Sequence, residues 1–239
     1  MNPLSKFVWR LSADARRKRS EFFRSQFDID ENTRLLDLGS ENGSNIFNVL
    51  QNTKHRPENI FIADIDERLL KEGRRLYGFN EVLIDESGRL PFEDNSFDIV
   101  YCSSVIEHVT VPKSELWKYK DDKEFKHDSW ARQVVFAKEI RRLGKQYFVQ
   151  TPSKSFPIES HTWLPFVGYL PRRYFLPTLK FSNRFWVKAA DPDFNLLGKD
   201  DMKKLFPKGE IVEEVKFGFT KSIMIVKSLR TRVKGERLG

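Results

Sequence analysis

The 239-residue sequence contains one cysteine, Cys102, so no disulfide can close within the chain and a reducing compartment is the default expectation. Long apolar runs are also missing. The longest stretches without Asp, Glu, Lys or Arg are 42–53 and 160–171, twelve residues each, whereas a transmembrane helix needs about 20. The opening residues MNPLSKFVWRLSADARRK interrupt their apolar positions with Lys6 and Arg10, which leaves no secretory h-region. Internal repeats and low-complexity segments are absent as well. Together these absences predict a cytoplasmic protein, either soluble or attached at the inner membrane surface.

What is present is an uneven charge. The net formal charge is +8, which by itself invites nucleic acid or a membrane surface as partner. Residues 1–25 carry seven basic and two acidic side chains, and 227–239 carry five basic and one acidic. Residues 26–226 therefore net −1, and within them 172–188 holds five basic residues and no acidic one. The basicity belongs to two ends and one internal segment. Hydrophobic residues at 39% and a chain of this length are enough for a full core without staples.

Apolar runs alternate with helical patterns. Strands are expected at 34–39, 59–64, 81–85, 97–103 and 145–151, with helices near 45–50, 66–77 and 129–143. Such alternation predicts an α/β fold, a mainly parallel sheet with helices on both faces. A helix near 199–206 precedes strands at 211–217 and 222–226, joined through Gly218 as a closing hairpin. Between the fifth strand and that helix lie almost fifty residues with six prolines and interleaved aromatics, read as an irregular insertion over about 152–198 that serves as lid or acceptor site. The expected domains are a basic helical segment at 1–30, the main domain at 31–228 and a basic tail at 229–239.

The run Leu35-Leu-Asp37-Leu-Gly39-Ser-Glu41-Asn-Gly43 sits at a strand-to-helix turn, where glycine lets the backbone approach a ligand beyond the strand ends. Asp64, ending the next strand, suits a ribose diol because a carboxylate accepts two hydroxyl hydrogen bonds. Dinucleotide binding is the competing reading, but the Gly-x-Gly-x-x-Gly spacing is absent.

Four segments in order over about 34–151, LLDLGSENG, FIADIDERLL, LIDESGRLPFEDNSFDIVYCSSVIEHV and YFVQTPS, resemble the class I S-adenosylmethionine-dependent methyltransferases, particularly their type 11 branch. The resemblance implies a Rossmann-like sheet with an antiparallel final strand, and S-adenosylmethionine as cofactor. It further implies that Asp37, Gly39 and Gly43 hold the methionine end, Asp64 the ribose, Ile65 the adenine face and Asp85 the adenine amine. Glu41 stands where the family commonly has glycine, so weakened cofactor binding, or a non-catalytic binding module, stays open.

Methyl transfer is an in-line displacement, and an oxygen acceptor must lose a proton to a base or a metal. Glu107 and His108 follow the fourth strand, where the imidazole of His108 could remove the hydroxyl proton. A structural role for the pair is equally open. Glu159 and His161 follow the fifth strand, so Glu107, His108, Glu159 and His161 form a candidate set for a divalent transition metal, with His161 a further catalytic candidate. This set is similar to the metal site of the small-RNA terminal 2′-O-methyltransferases, although Ser104 stands where those enzymes have their first glutamate. Hydrogen bonding within the insertion is the alternative for Glu159 and His161.

The insertion also resembles bacterial type 11 methyltransferases associated with glycan synthesis. Trp163, Phe166, Tyr169 and Tyr174 can stack on sugar faces, and Arg172 and Arg173 can meet phosphate. Leu4, Phe7, Val8, Leu11 and Ala15 recur at helical spacing among basic residues, so the first helix either lies on an anionic membrane or covers the cofactor site, docked by Phe22, Phe23 and Phe27. The function expected is O-methylation of a sugar, glycan or other small hydroxylated acceptor, including a lipid-linked one. Methylation of RNA or another nucleic acid is the alternative.

Overall fold

The computed structural model describes residues 3–85, 88–186, 188–230 and 238, with the side chains of residues 3–12 left aside. In chain order the elements are α1 (Pro3–Gln26), β1 (Leu35–Leu38), α2 (Ser44–Val49), β2 (Ile60–Asp64), α3 (Glu67–Tyr77), β3 (Asn80–Leu83), β4 (Phe97–Ser103), α4 (Asp122–Leu143), β5 (Gly144–Pro152), α5 (Arg172–Ser182), α6 (Lys199–Leu205), β6 (Glu210–Lys216) and β7 (Phe219–Lys227). Seven strands form one mixed sheet in the order β3-β2-β1-β4-β5-β7-β6. β1 pairs in parallel with β2 and with β4, and β2 with β3. β7 runs antiparallel between β5 and β6, which gives the Rossmann-like methyltransferase sheet expected above. Phe217 and Gly218, with φ of 51° and 80°, form the two-residue turn of the closing hairpin.

Two compact units make up the chain. The first comprises Met1–Ser103, Glu139–Val149 and Val226–Glu236. All four residues of β1 are buried, as a strand with neighbours on both edges and covered faces requires. Phe22 and Phe23 of α1, and Phe27 just after it, are buried here. Phe23 meets Tyr101 and Phe148 edge-on at centroid distances of 5.1 and 5.4 Å. Arg24 adds a hydrogen bond of 2.8 Å to the Val49 carbonyl at the end of α2. Of the basic tail, residues 231–237 and 239 lie outside the described residues, as do the apolar and basic side chains of residues 4–11. Among the described residues, no helix is long and apolar enough to cross a membrane.

The second unit comprises Ser104–Lys138, Gln150–Ile225 and Arg237–Gly239. Its main difference from the sequence expectation is that the insertion has regular structure. α5 spans Arg172–Ser182 and buries Phe175, Leu176 and Leu179, packed with Val167 and Phe194. Pro177 lies inside this helix. A proline in the interior reads as a breaker because it removes one backbone donor, but the buried face on either side of it sustains the helix. α4 likewise begins seven residues earlier than the pattern at 129–143 suggests. Asp121 caps its start, its Oδ1 accepting from the Lys123 and Glu124 amides at 2.8 and 3.0 Å.

Candidate active site

In the first unit, the turn after β1 relies on left-handed backbone at Gly39 (φ 78°), Glu41 (φ 51°) and Gly43 (φ 76°). A Cβ on Gly43 would lie 3.0 Å from Ile62 Cγ2 and 3.2 Å from Phe79 Cδ2, so glycine there permits the turn and its packing together. Gly73 on α3 has a matching part. Its Cβ would fall 2.4 Å from the Asn42 carbonyl oxygen, which means α3 presses directly on this loop. A helical glycine discloses such a partner only in three dimensions, and the sequence reading passed over it.

Asp64 is fixed at the end of β2 by two backbone donors. Its Oδ2 accepts from the Glu41 amide at 2.8 Å, and its Oδ1 accepts from the Asp66 amide at 3.1 Å. Lone pairs remain for hydroxyl donors. Asp66 in turn caps α3 through the Arg68 and Leu69 amides. Ile65 exposes 70% of its surface, a large apolar area left open at the strand end. Asp85 and Glu41 are also exposed.

Asp37 differs from these. It is buried, and its Oδ2 has no hydrogen-bond partner among the described residues. Burial, and then the charge of Asp64, hold its carboxyl well above the ordinary carboxylate range. Tyr101, pushed up to about 12 by burial, is a neutral phenol whose oxygen accepts from Asn45 Nδ2 at 3.2 Å. An orphaned buried carboxyl, a fixed diol acceptor and an open apolar surface fit a ligand carrying an ammonium group, a ribose and a flat ring.

In the second unit, three of the four predicted catalytic or metal-binding side chains converge. One ligand atom from each of Glu107, His108 and His161 lies within 4.8 Å of the other two. The imidazoles stand edge to face, with ring centroids 4.7 Å apart and an interplanar angle of 88°. Glu107 is fully buried. Its Oε2 accepts from Thr151 Oγ1 at 2.9 Å, while Oε1 has no hydrogen-bond partner among the described residues and lies 3.8 Å from His161 Nε2.

Glu159 stands apart from the other three. Its Oε1 accepts from the His161 amide at 2.8 Å and faces His161 Nδ1 at 2.6 Å, and its Oε2 accepts from the Thr162 amide at 2.6 Å. It orients His161 from behind. Burial opposes its ionisation, but His161 and these amides outweigh burial and hold the carboxyl below the usual range. Burial likewise disfavours a charged His161, and the carboxylates of Glu107 and Glu159 on its two sides overcome that and raise it to about 9.

The sequence reading missed the residues that hold this cluster. Asp193 Oδ1 is 3.2 Å from His108 Nδ1, Phe194 stacks on the His161 ring at 4.4 Å, and the Asn195 amide donates to the Glu107 carbonyl at 2.8 Å. Three consecutive residues thus each touch a different member. Gln133, buried on α4, donates from Nε2 to the Ile106 and Asn195 carbonyls at 2.9 and 3.2 Å. The available signal was Asp193 itself, an acidic residue soon after a stretch of five cations.

The basic aromatic segment divides by burial. Arg172 is buried and serves the fold: its guanidinium donates to the Tyr119, Leu116 and Pro192 carbonyls and lies 3.6 Å over the Phe125 ring. This corrects the expectation that it meets phosphate. Arg173 lies over the Tyr174 ring at 4.7 Å, and Phe166, Tyr169 and Tyr174 are exposed by more than half. Trp163 carries Lys188 on its face at 5.2 Å.

Residues 36–118 match the family described as methyltransferase domain. Among solved structures, the PH0226 protein from Pyrococcus horikoshii OT3 is 16% identical with a TM-score of 0.55, over 91% of this chain and 90% of that one. Magnesium protoporphyrin IX methyltransferase from Synechocystis PCC 6803, with bound S-adenosylhomocysteine, is 14% identical with a TM-score of 0.52, over 95% and 89%. An S-adenosylmethionine-dependent methyltransferase from Clostridium acetobutylicum ATCC 824 is 14% identical with a TM-score of 0.51, over 95% and 99%. No curated protein matches the sequence. At these identities the solved structures establish the fold, and the family match establishes the domain. The chain therefore carries a methyltransferase domain over residues 36–118, set in the sheet of the S-adenosylmethionine-dependent methyltransferase fold with a loop suited to an ammonium and a ribose.

Proposed function

We propose that this methyltransferase acts on a hydroxyl oxygen of a sugar, glycan or other small hydroxylated acceptor. The observation that carries the reading is the His108–Asp193 pair beside Glu107 and His161. A carboxylate at Nδ1 fixes the imidazole's orientation and leaves Nε2 to take a proton, the logic of a general base held by an acid. S-adenosylmethionine supplies a methyl group activated by its sulfonium. As the acceptor oxygen forms its bond to that methyl and the sulfur–carbon bond breaks, the hydroxyl proton passes to His108; a metal held by Glu107, His108 and His161 would be the other means of acidifying that hydroxyl.

For the cofactor, Asp37 supplies the unpaired carboxyl for the methionine ammonium, with Gly39 and Gly43 shaping the loop around that end. Asp64 takes the ribose hydroxyls, Ile65 lies against the adenine and Asp85 meets its amine. The exposed rings of Phe166, Tyr169 and Tyr174, with Arg173 beside them, support a sugar acceptor with an anionic group. The basic segments at 1–25 and 227–239 suit a lipid-linked acceptor at an anionic membrane surface.

Transfer of labelled methyl from S-adenosylmethionine to a panel of sugars, lipid-linked glycans, phenols, amines and RNA tests the reading. Label on oxygen, with a His108→Gln variant that loses about 10²–10⁴ of kcat and keeps its affinity for S-adenosylhomocysteine, is the expected result. Transfer only to nitrogen or carbon would refute it. RNA methylation with affinity falling steeply in salt would favour the nucleic-acid alternative.

A further inference from the structure

We propose that Glu107, His108 and His161 form a three-ligand site for one divalent first-row transition-metal ion, with Glu159 and Asp193 as the outer carboxylates that orient the two imidazoles. The donor atoms already converge, within 4.8 Å of one another, and Glu107 Oε1 and His161 Nε2 are 3.8 Å apart. Bonds of about 2.0–2.2 Å to a shared ion require only a small further approach of side chains.

The surroundings have the form of a metal site's outer shell. A ligating histidine generally gives its second ring nitrogen to a carboxylate or carbonyl, which fixes the tautomer and strengthens the donor. Both imidazoles meet that condition at Nδ1, His161 with Glu159 at 2.6 Å and His108 with Asp193 at 3.2 Å. Each therefore keeps Nε2 for an ion. Glu159 is excluded as a ligand because its oxygens are taken by two backbone amides and a ring nitrogen.

Glu107 supplies the independent observation. Its side chain is fully buried, Thr151 occupies Oε2, and Oε1 has no hydrogen-bond partner among the described residues. A buried carboxylate oxygen left unpaired is costly. Protonated His161 offsets part of that cost as a charge, but at 3.8 Å it is too far to hydrogen-bond Oε1, whose lone pairs stay open. A cation between the three side chains would satisfy Oε1 directly and offset the charge of three carboxylates gathered around two imidazoles. Two imidazole nitrogens and one carboxylate select zinc, cobalt, iron or manganese over calcium and magnesium, and three protein ligands leave positions open for a hydroxyl or water.

An ion on His108 Nε2 would occupy the lone pair that the proposed base uses, so with metal bound the ion rather than His108 would acidify the acceptor hydroxyl; the test is therefore one of binding, read apart from methyl transfer. The full chain, free of any affinity tag and stripped by chelator and dialysis, is titrated with Co²⁺ and then Zn²⁺, read by visible absorption and calorimetry. One ion per chain at micromolar or tighter affinity is expected, with zinc displacing cobalt. Glu107→Gln, His108→Ala and His161→Ala should each weaken binding by more than about 100-fold. Glu159→Gln and Asp193→Asn should weaken it about 10–100-fold, as outer-shell partners do. His55→Ala and His127→Ala should leave it unchanged. Circular dichroism melting checks that each variant folds; if Glu107→Gln does not, His108→Ala and Asp193→Asn carry the test, since both positions reach the surface. Absence of stoichiometric binding at 100-fold excess metal, or binding unaltered in His108→Ala and His161→Ala, would overturn the site.

Discussion

Replacing Arg172 with alanine separates two roles that the same side chain could have. Its guanidinium donates to the Tyr119 and Leu116 carbonyls at 2.7 Å each and to the Pro192 carbonyl at 3.2 Å, and its carbon lies 3.6 Å over the Phe125 ring. No side-chain carboxylate is hydrogen-bonded to the guanidinium among the described residues, and burial lowers its pKa. Truncation orphans three carbonyls at about 1–3 kcal/mol each and removes a desolvated cation–π contact of about 2 kcal/mol. Against this, several kcal/mol are regained by no longer burying a charge. The expected net loss is about 3 kcal/mol, the lower end of what breaking a buried charged contact costs. Urea denaturation of the full chain measures it. The Pro192 carbonyl precedes Asp193, so loosening it should also disturb the Asp193–His108 contact and lower kcat. A loss under about 1 kcal/mol together with a raised KM for an anionic acceptor would refute the structural role and restore the phosphate-binding one.

Three further outcomes follow from the first unit. Asp37→Asn should weaken S-adenosylhomocysteine binding by about 10–100-fold, the worth of a charge-assisted hydrogen bond, as read by calorimetry. The same variant should stabilise the ligand-free protein at neutral pH. A carboxyl raised by folding contributes destabilisation that grows as pH rises from its unfolded value toward its folded one, so the gain should fade toward acid pH in urea titrations. Glu41→Gly should leave cofactor affinity within about twofold, because Glu41 is exposed. It should raise stability by up to about 1 kcal/mol, the relief of left-handed strain less the added chain entropy. Gly73→Ala should cost about 1–3 kcal/mol, as overpacking does, and should weaken cofactor binding, since the clash falls on the backbone of the Asn42 loop.

The positions of the strands and the closing hairpin were legible because they rest on local pattern: period, turn glycines and the alternation of strand with helix. The loop after β1 and the acid ending β2 were legible for the same reason, and Asp64 does fix the Glu41 amide across 23 positions of sequence. The regular structure of the insertion was not, because Pro177 breaks the local signal while a buried apolar face sustains the helix. Glu159 and His161 were found as residue types, but which one faces Glu107 depends on two backbone amides that claim the Glu159 carboxylate.

By itself the sequence determined that one chain, without an internal disulfide or a long apolar span, forms an α/β methyltransferase sheet with an acidic cofactor loop, and that histidine and glutamate follow its fourth and fifth strands. Chain order and side-chain chemistry suffice for that. Only the tertiary structure decided that Arg172 is a buried clamp, that Gly73 presses on the cofactor loop, and that Asp193, Phe194 and Asn195 close around Glu107, His108 and His161. Those relations join positions more than thirty residues apart, and long-range packing, which no local pattern encodes, is what brings them together.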